Sequence, residues 1–475
     1  MSSISDDIFF AGIAEINRRL TKKEFSAHEL ASAFCDRLEN IGPRYNALAL
    51  SLRKDALRDA KEVDGDLKRE RLRGPLQGIP FGAKDLLAYA KHPSTWGAKP
   101  YEDQVFDYTA SVLKHIQKHG GLLTGKLAMV ELAGGPSYRY ASASLTGPGL
   151  NPWDSTRWSG GSSSGSAIAV ASGLVTYALG SETSGSILTP SAFCGVTGLR
   201  PTYGLVSRHG AMALSWTLDK IGPICRSAED CGLVLEAIAG ADYDDPASAR
   251  KSFYYTPQFA RDLKDVRVGY APADFSEGVD PAARADYAKA LEIIRSMGVQ
   301  VTEAKLPDFP YGALITTIIS AEGSAVFETL IKTGKVDQLV DQHQIAGLKA
   351  GLEIPAKDYL KAMRIRALLQ EAFRDLLSTT DVLIAPTRFE PAPKITQPLD
   401  RRANGRPTPV FGALIPAGNL AGLPALSLPC GFANGMPMGL QLVGSPFSEN
   451  MLLAIGKTFQ DRTDWHKRRP PIASA

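Results

Sequence analysis

From Ile8 to Asp64 the apolar residues recur every three or four positions, which predicts amphipathic helices. AEINRRL carries that period, HELASAFCDRLENI follows Ser26 as an N-cap, and SLRKDALRDAKEVDGDLKRE continues it. From Leu76 the texture changes to short apolar runs broken by glycine and alternating with helical stretches, as in IPFGAKDLLAY, TASVLKHIQKHGG and LLTGKLAMVEL. This alternation predicts an α/β sheet.

Residues 151–222 are heavy in Gly, Ser and Thr. AIAVASGLVTYALG and SAFCGVTGLRPTYGLV are too apolar to stay solvated, so the span reads as a packed unit and not a linker. It predicts a helix over Gly165–Gly173, a buried strand over Leu174–Leu179, and loop for NPWDSTRWSG. Beyond Gly240, VRVGYAPADF reads as strand and loop, with helices over Pro281–Met297 and from about Tyr311 to Leu377. DVLIAPT, ALSLPCGF and GLQLVGSPF read as strands, and ENMLLAIGKTFQDRT as a closing helix. The whole chain, 1–475, reads as a single domain: a helical clasp over 1–65, a core over 75–240, a helical cover over 280–380, and strands with a helix over 381–475.

Composition narrows the function classes. Lys and Arg total 53 against 50 Asp and Glu, with no long basic run, so a nucleic-acid partner is not expected. No run reaches the roughly 18 apolar residues of a membrane span, and the polar, acidic start lacks a signal peptide's basic and apolar regions. A cytoplasmic protein is expected. The five cysteines form no CxxC and read as reduced, buried thiols. The seven histidines give no ligand spacing, so neither metal nor cofactor is expected.

The chemistry concentrates in three motifs. Lys84 ends the apolar run GIPFGAK, where burial would depress its pKa toward that of a usable base. GGSSSGS spans Gly160–Ser166 and GSETSGSI spans Gly180–Ile187. A Lys-Asp pair alone is usually a surface feature, and either serine cluster alone could be a turn or a phosphate loop. Neither has a Walker ending or the Rossmann glycine spacing. A formal G-x-S-x-G centred on Ser163 lacks the preceding strand that a nucleophile elbow requires.

Taken together and in this order, GIPFGAKD, WSGGSSSGSAIAVASG and LGSETSGSILTPSAFCGVTGLRPTYGLVS resemble the amidase signature family, hydrolases with a Ser-cis-Ser-Lys triad. Ser162 and Ser186 stand 24 residues apart, as the family's two serines do. The resemblance implies one large mixed β-sheet covered by helices on both faces. It further implies Ser186 as nucleophile, Ser162 as bridging serine after a cis bond from Gly161, and Lys84 as base. Backbone amides of Thr183, Ser184, Gly185 and Ser186 would form the oxyanion hole, with Ser163 in support. Where the family's second motif commonly reads G-T-D-x-G-G-S-I-R, this chain carries Ser181, Glu182, Ser184 and Leu188, which leaves Glu182 in need of another partner.

Met129, Trp216, Phe327 and Phe411, with Ile415, are candidate pocket residues and offer no charge clamp. The expected substrate is therefore a neutral small-molecule amide, with carbamates and esters as extensions, acted on by a monomer or homodimer. The family's rival reading is the A subunit of the tRNA-dependent glutamine amidotransferase, whose glutamine is held by an Arg and an Asp. The stretch before NLAGLP carries Gly412 and no acid, and the Arg-bearing run is missing from Asp341–Met363. A non-catalytic binding subunit is the remaining alternative, and the intact Lys84, Ser162 and Ser186 speak against it.

Overall fold

The computed structural model describes residues 4–135, 138–258, 261–399 and 412–472. Thirteen strands are present among them: β1 (Leu48–Ser51), β2 (Pro80–Lys84), β3 (Leu122–Leu127), β4 (Leu150–Asn151), β5 (Asp154–Trp158), β6 (Tyr177–Glu182) and β7 (Thr197–Arg200), then β8 (Lys220–Cys225), β9 (Arg267–Tyr270), β10 (Gln300–Glu303), β11 (Val382–Pro386), β12 (Ala425–Ala433) and β13 (Met436–Gly444). Eleven form one mixed sheet in the order β1-β3-β2-β6-β8-β7-β12-β13-β11-β9-β10, and β4 and β5 form a separate hairpin. The fold is α/β, with helices covering the large sheet.

β2 lies between β3 and β6, parallel to both. A central parallel strand is covered on both faces, which is why PFGAK is buried at every position, its terminal lysine included. Gly82 allows this packing, because a Cβ there would stand 2.4 Å from Leu127.

The N-terminal helices follow the sequence period closely. Ser26 caps the Ala27–Ile41 helix in a capping box with Glu29. The next helix, Arg53–Lys68, starts later than its period suggests, because Leu48–Ser51 is drawn into the sheet as β1 against β3. Two further expectations shift. The strand expected at Leu174–Leu179 lies at Tyr177–Glu182, which carries it into the second serine motif. NPWDSTRWSG, expected as loop, holds the last residue of β4 and all of β5, which pair as a hairpin.

Among the described residues no helix is long and apolar enough to cross a membrane. All five cysteines are buried and free.

Candidate active site

Three elements bring the motif residues together. β2 delivers Lys84 at its C-terminal end, the Ser164–Ala171 helix begins immediately after Ser162 and Ser163, and β6 runs into the loop that carries Ser186. The Gly161–Ser162 peptide is cis. Lys84 Nζ lies 2.7 Å from Ser162 Oγ and 2.9 Å from Ser181 Oγ. Its side chain is buried and makes no ion pair among the described residues. Burial therefore dominates and lowers its pKa to about 7, against the opposing charges of Asp219 and Glu182. Lys84 is thus poised to exchange a proton with a hydroxyl near neutrality.

Ser163 ties the two serine motifs together. Its N–H donates to the Ser186 carbonyl at 3.3 Å, its hydroxyl donates to the Ser181 carbonyl at 3.2 Å, and its oxygen accepts from Ser181 N–H at 3.2 Å. Ser186 itself stays close to the surface of the site at 9% exposure. None of the N–H groups of Thr183, Ser184, Gly185 and Ser186 meets an acceptor among the described residues. Gly185 has φ of +88°, a left-handed conformation that glycine adopts without strain, whereas Ser184 keeps an ordinary backbone angle.

The next two N–H groups, of Ile187 and Leu188, donate to Glu182 Oε2 at 2.9 and 3.0 Å. Glu182 Oε1 accepts from Arg200 at 2.9 Å and from Asn419 at 2.8 Å. The partner that Leu188 does not supply is therefore Arg200, arriving from β7. Burial alone would raise the Glu182 carboxyl, but Arg200, Asn419 and the nearby charge of Lys220 bring it below its usual value. The carboxylate anchors the loop from beneath and leaves the four preceding amides free.

On the other side, Asp219 Oδ1 accepts from the Thr183 hydroxyl at 2.6 Å, while its Oδ2 takes the N–H groups of Leu214 and Ser215 at 2.8 and 2.9 Å. Ser181, Thr183 and Asp219 form one wall of a cavity of about 230 Å³, with Arg208, Trp216 and Asp245 on others.

The expected pocket residues divide. Trp216 lines this cavity and is half exposed. Met129 and Phe327 are fully buried, Met129 packed close to Gly97 and Phe327 edge-on to Trp96, and neither lines this cavity. Phe411 lies outside the described residues. Ile415 packs against Gly185. Charged side chains, Arg208, Asp219, Lys220 and Asp245, also line the cavity. Sequence reasoning missed Arg200, Asn419, Ser181 and Asp219. A charge inside the apolar run GLRPTYGLV and an amide inside LIPAGNLAGL were the available signals, but only the fold pairs them.

The Amidase family model matches residues 29–453, and the chain belongs to the amidase signature family. It is 35% identical, over 97% of its own length and 99% of the relative's, to the A subunit of the glutamyl-tRNA(Gln) amidotransferase from Gloeothece citriformis. Among solved structures it resembles the peptide amidase from Stenotrophomonas maltophilia, with a TM-score of 0.84 and 30% identity over 97% of this chain and 98% of that one. The glutamyl-tRNA(Gln) amidotransferase A subunit from Thermotoga maritima superposes at a TM-score of 0.81 and 26% identity across 100% of both chains.

Proposed function

We propose that this chain hydrolyses the C–N bond of an uncharged carboxamide, with carbamates as close alternatives, through an acyl-enzyme on Ser186. The observation that carries the reading is a buried lysine, 2.7 Å from Ser162, that among the described residues is held by two hydroxyls and no carboxylate. Ser162 takes the Ser186 proton and passes its own to Lys84 as Ser186 Oγ bonds the carbonyl carbon. The oxyanion that forms is held by the free amides of the 183–186 loop. Collapse returns the proton to the leaving nitrogen, which departs as amine or ammonia. Water then adds to the acyl-enzyme by the same relay, releasing the acid and restoring Ser186.

A second reading is supported by the 35% identity to an amidotransferase A subunit: release of ammonia from glutamine for a partner. Against it stand Gly412 and the absence of an acid in 412–419, where the amidotransferase places its glutamine-binding Asp.

The test is initial rates on nitroanilides, a nitrophenyl carbamate, nitrophenyl esters and free glutamine, each beside Ser186→Ala. Turnover of neutral amides or carbamates, lost in the variant, supports the standalone hydrolase. Ammonia released from glutamine alone would replace it with the amidotransferase reading.

A further inference from the structure

Arg208 is the residue that would make the cavity receptive to an anion, and most of its donors are engaged by the protein itself. Its Nε and Nη2 donate to the two oxygens of Asp245 at 3.0 and 2.8 Å, and its backbone N–H adds a third bond to the same carboxylate at 2.8 Å. The remaining Nη1 donates to the Trp216 carbonyl and to the Tyr203 hydroxyl, and the guanidinium lies 5.1 Å over the Tyr203 ring. Asp245 is in turn held by Ala247 N–H at 2.9 Å and is nearly inaccessible, with 3% of its side chain exposed. Four of the five guanidinium N–H groups are engaged in this way, so no pair of donors is left to grip a second carboxylate bidentately.

Of the other charged groups on the cavity wall, Asp219 is held by protein donors and Lys220 is buried, which pushes its pKa well below the usual lysine value. Asp219 accepts from Thr183, Leu214 and Ser215, and Lys220 Nζ donates to the Leu218 carbonyl. Asp244, at the mouth, is exposed and repels anions. What the cavity offers a ligand is the half-exposed indole of Trp216, whose backbone is fixed by the two donors on its carbonyl, together with apolar side chains such as Met212 and Leu214.

We propose that this cavity is a substrate subsite selective for a flat, uncharged group, with Trp216 as its stacking face, and that Asp245 enforces the selectivity by masking Arg208. The inference rests on the proposed hydrolysis at Ser186, because the cavity shares Ser181 and Thr183 with that site. It turns a carboxylate-bearing substrate away by engaging the guanidinium on the cavity wall. Removing the mask without changing shape, as in Asp245→Asn, releases Arg208 to bind an anion.

The test separates binding from turnover by using Ser186→Ala protein and calorimetry. Benzamide and acetanilide carry the ring on either side of the amide, 4-carbamoylbenzoate and 4-acetamidobenzoate add a carboxylate, and propionamide has no ring. At least one neutral ring amide should bind tenfold or more tightly than its carboxylated counterpart. Adding Asp245→Asn should close or reverse that gap. Adding Trp216→Ala, a half-exposed position that the core does not depend on, should weaken the ring amide about tenfold relative to propionamide. A gap unchanged by Asp245→Asn, or a Trp216→Ala effect equal on ring and ring-free amides, would overturn the subsite. If these binding differences hold while wild-type protein turns over none of the amides, the subsite stands and the proposed hydrolysis falls.

Discussion

Lys84 on β2 and Lys126 on β3 stand on neighbouring strands, both with side chains withdrawn from solvent, yet their partners differ in kind. Lys126 Nζ sits 2.9 Å from Asp85 Oδ1 and also donates to Ser94 Oγ at 2.8 Å. Asp85 extends the contact to Thr95, so the pair pins the loop after β2 to the sheet. Among the described residues Lys84 has only the hydroxyls of Ser162 and Ser181. Burying an ammonium is tolerable when a carboxylate accompanies it, and without one the group yields its proton. One fold therefore holds a buried lysine for structure beside another whose environment suits it to proton transfer.

The largest effects that separate the two are on activity. Ser186→Ala should abolish hydrolysis, a loss of about 10⁴-fold or more, and Lys84→Met should lose about 10²–10⁴-fold, measured as kcat/KM on a neutral amide. Lys126→Met should leave those steps in place in whatever protein folds. Full activity in Ser186→Ala or Lys84→Met would remove the triad assignment.

Stability should move in opposite directions. Lys126→Met strands the buried Asp85 carboxylate and should cost about 3–5 kcal/mol in urea unfolding. For Lys84 the folded pKa of about 7 lies below the usual 10.5, so the unfolded chain holds the proton more tightly. Its burial then costs stability below pH 7, and that cost fades as pH rises toward 10.5. Lys84→Met should therefore unfold at higher urea than wild type at pH 6–7, by up to a few kcal/mol, with the advantage shrinking at pH 9. Equal destabilisation by both substitutions would mean that Lys84 is an ordinary core contact.

The loop support is the next test. Arg200→Met removes the cation from the buried Glu182 and should lower both stability and kcat, whereas KM for a small amide should change less. The smallest effect is on pH dependence. With Lys84 as the proposed base, kcat/KM should rise through about pH 7. Asp219 and Glu182 both raise the Lys84 pKa, so Asp219→Asn should carry that limb to lower pH. A limb that stays in place would separate Asp219 from the relay.

What the sequence made legible follows the range of each interaction. The capping box at Ser26, the buried end of β2 and the three motifs are local, and each is written in a short run of residues. Lys84, Ser162 and Ser186 were nameable because the motifs' order and spacing resemble a known family. The Glu182 anchor was not, since Arg200 reaches it through the β6-β8-β7 order and Asn419 from 237 residues away. Met129 and Phe327, which do not line the cavity beside Trp216, show the same limit: apolar residues look alike in sequence whether they face a cavity or the core. The masked Arg208 was hidden in the same way, because a charge announces itself in sequence but its partner 37 residues on does not.

The relay itself is tested most directly by intact-mass analysis of fluorophosphonate labelling, run from pH 5 to 9 on wild type, Lys84→Met and Ser186→Ala. A single adduct on Ser186, forming faster as pH rises through about 7, slowed in Lys84→Met and absent in Ser186→Ala, is the predicted result. Labelling that persists in Ser186→Ala, or that is indifferent to both pH and Lys84, would contradict it.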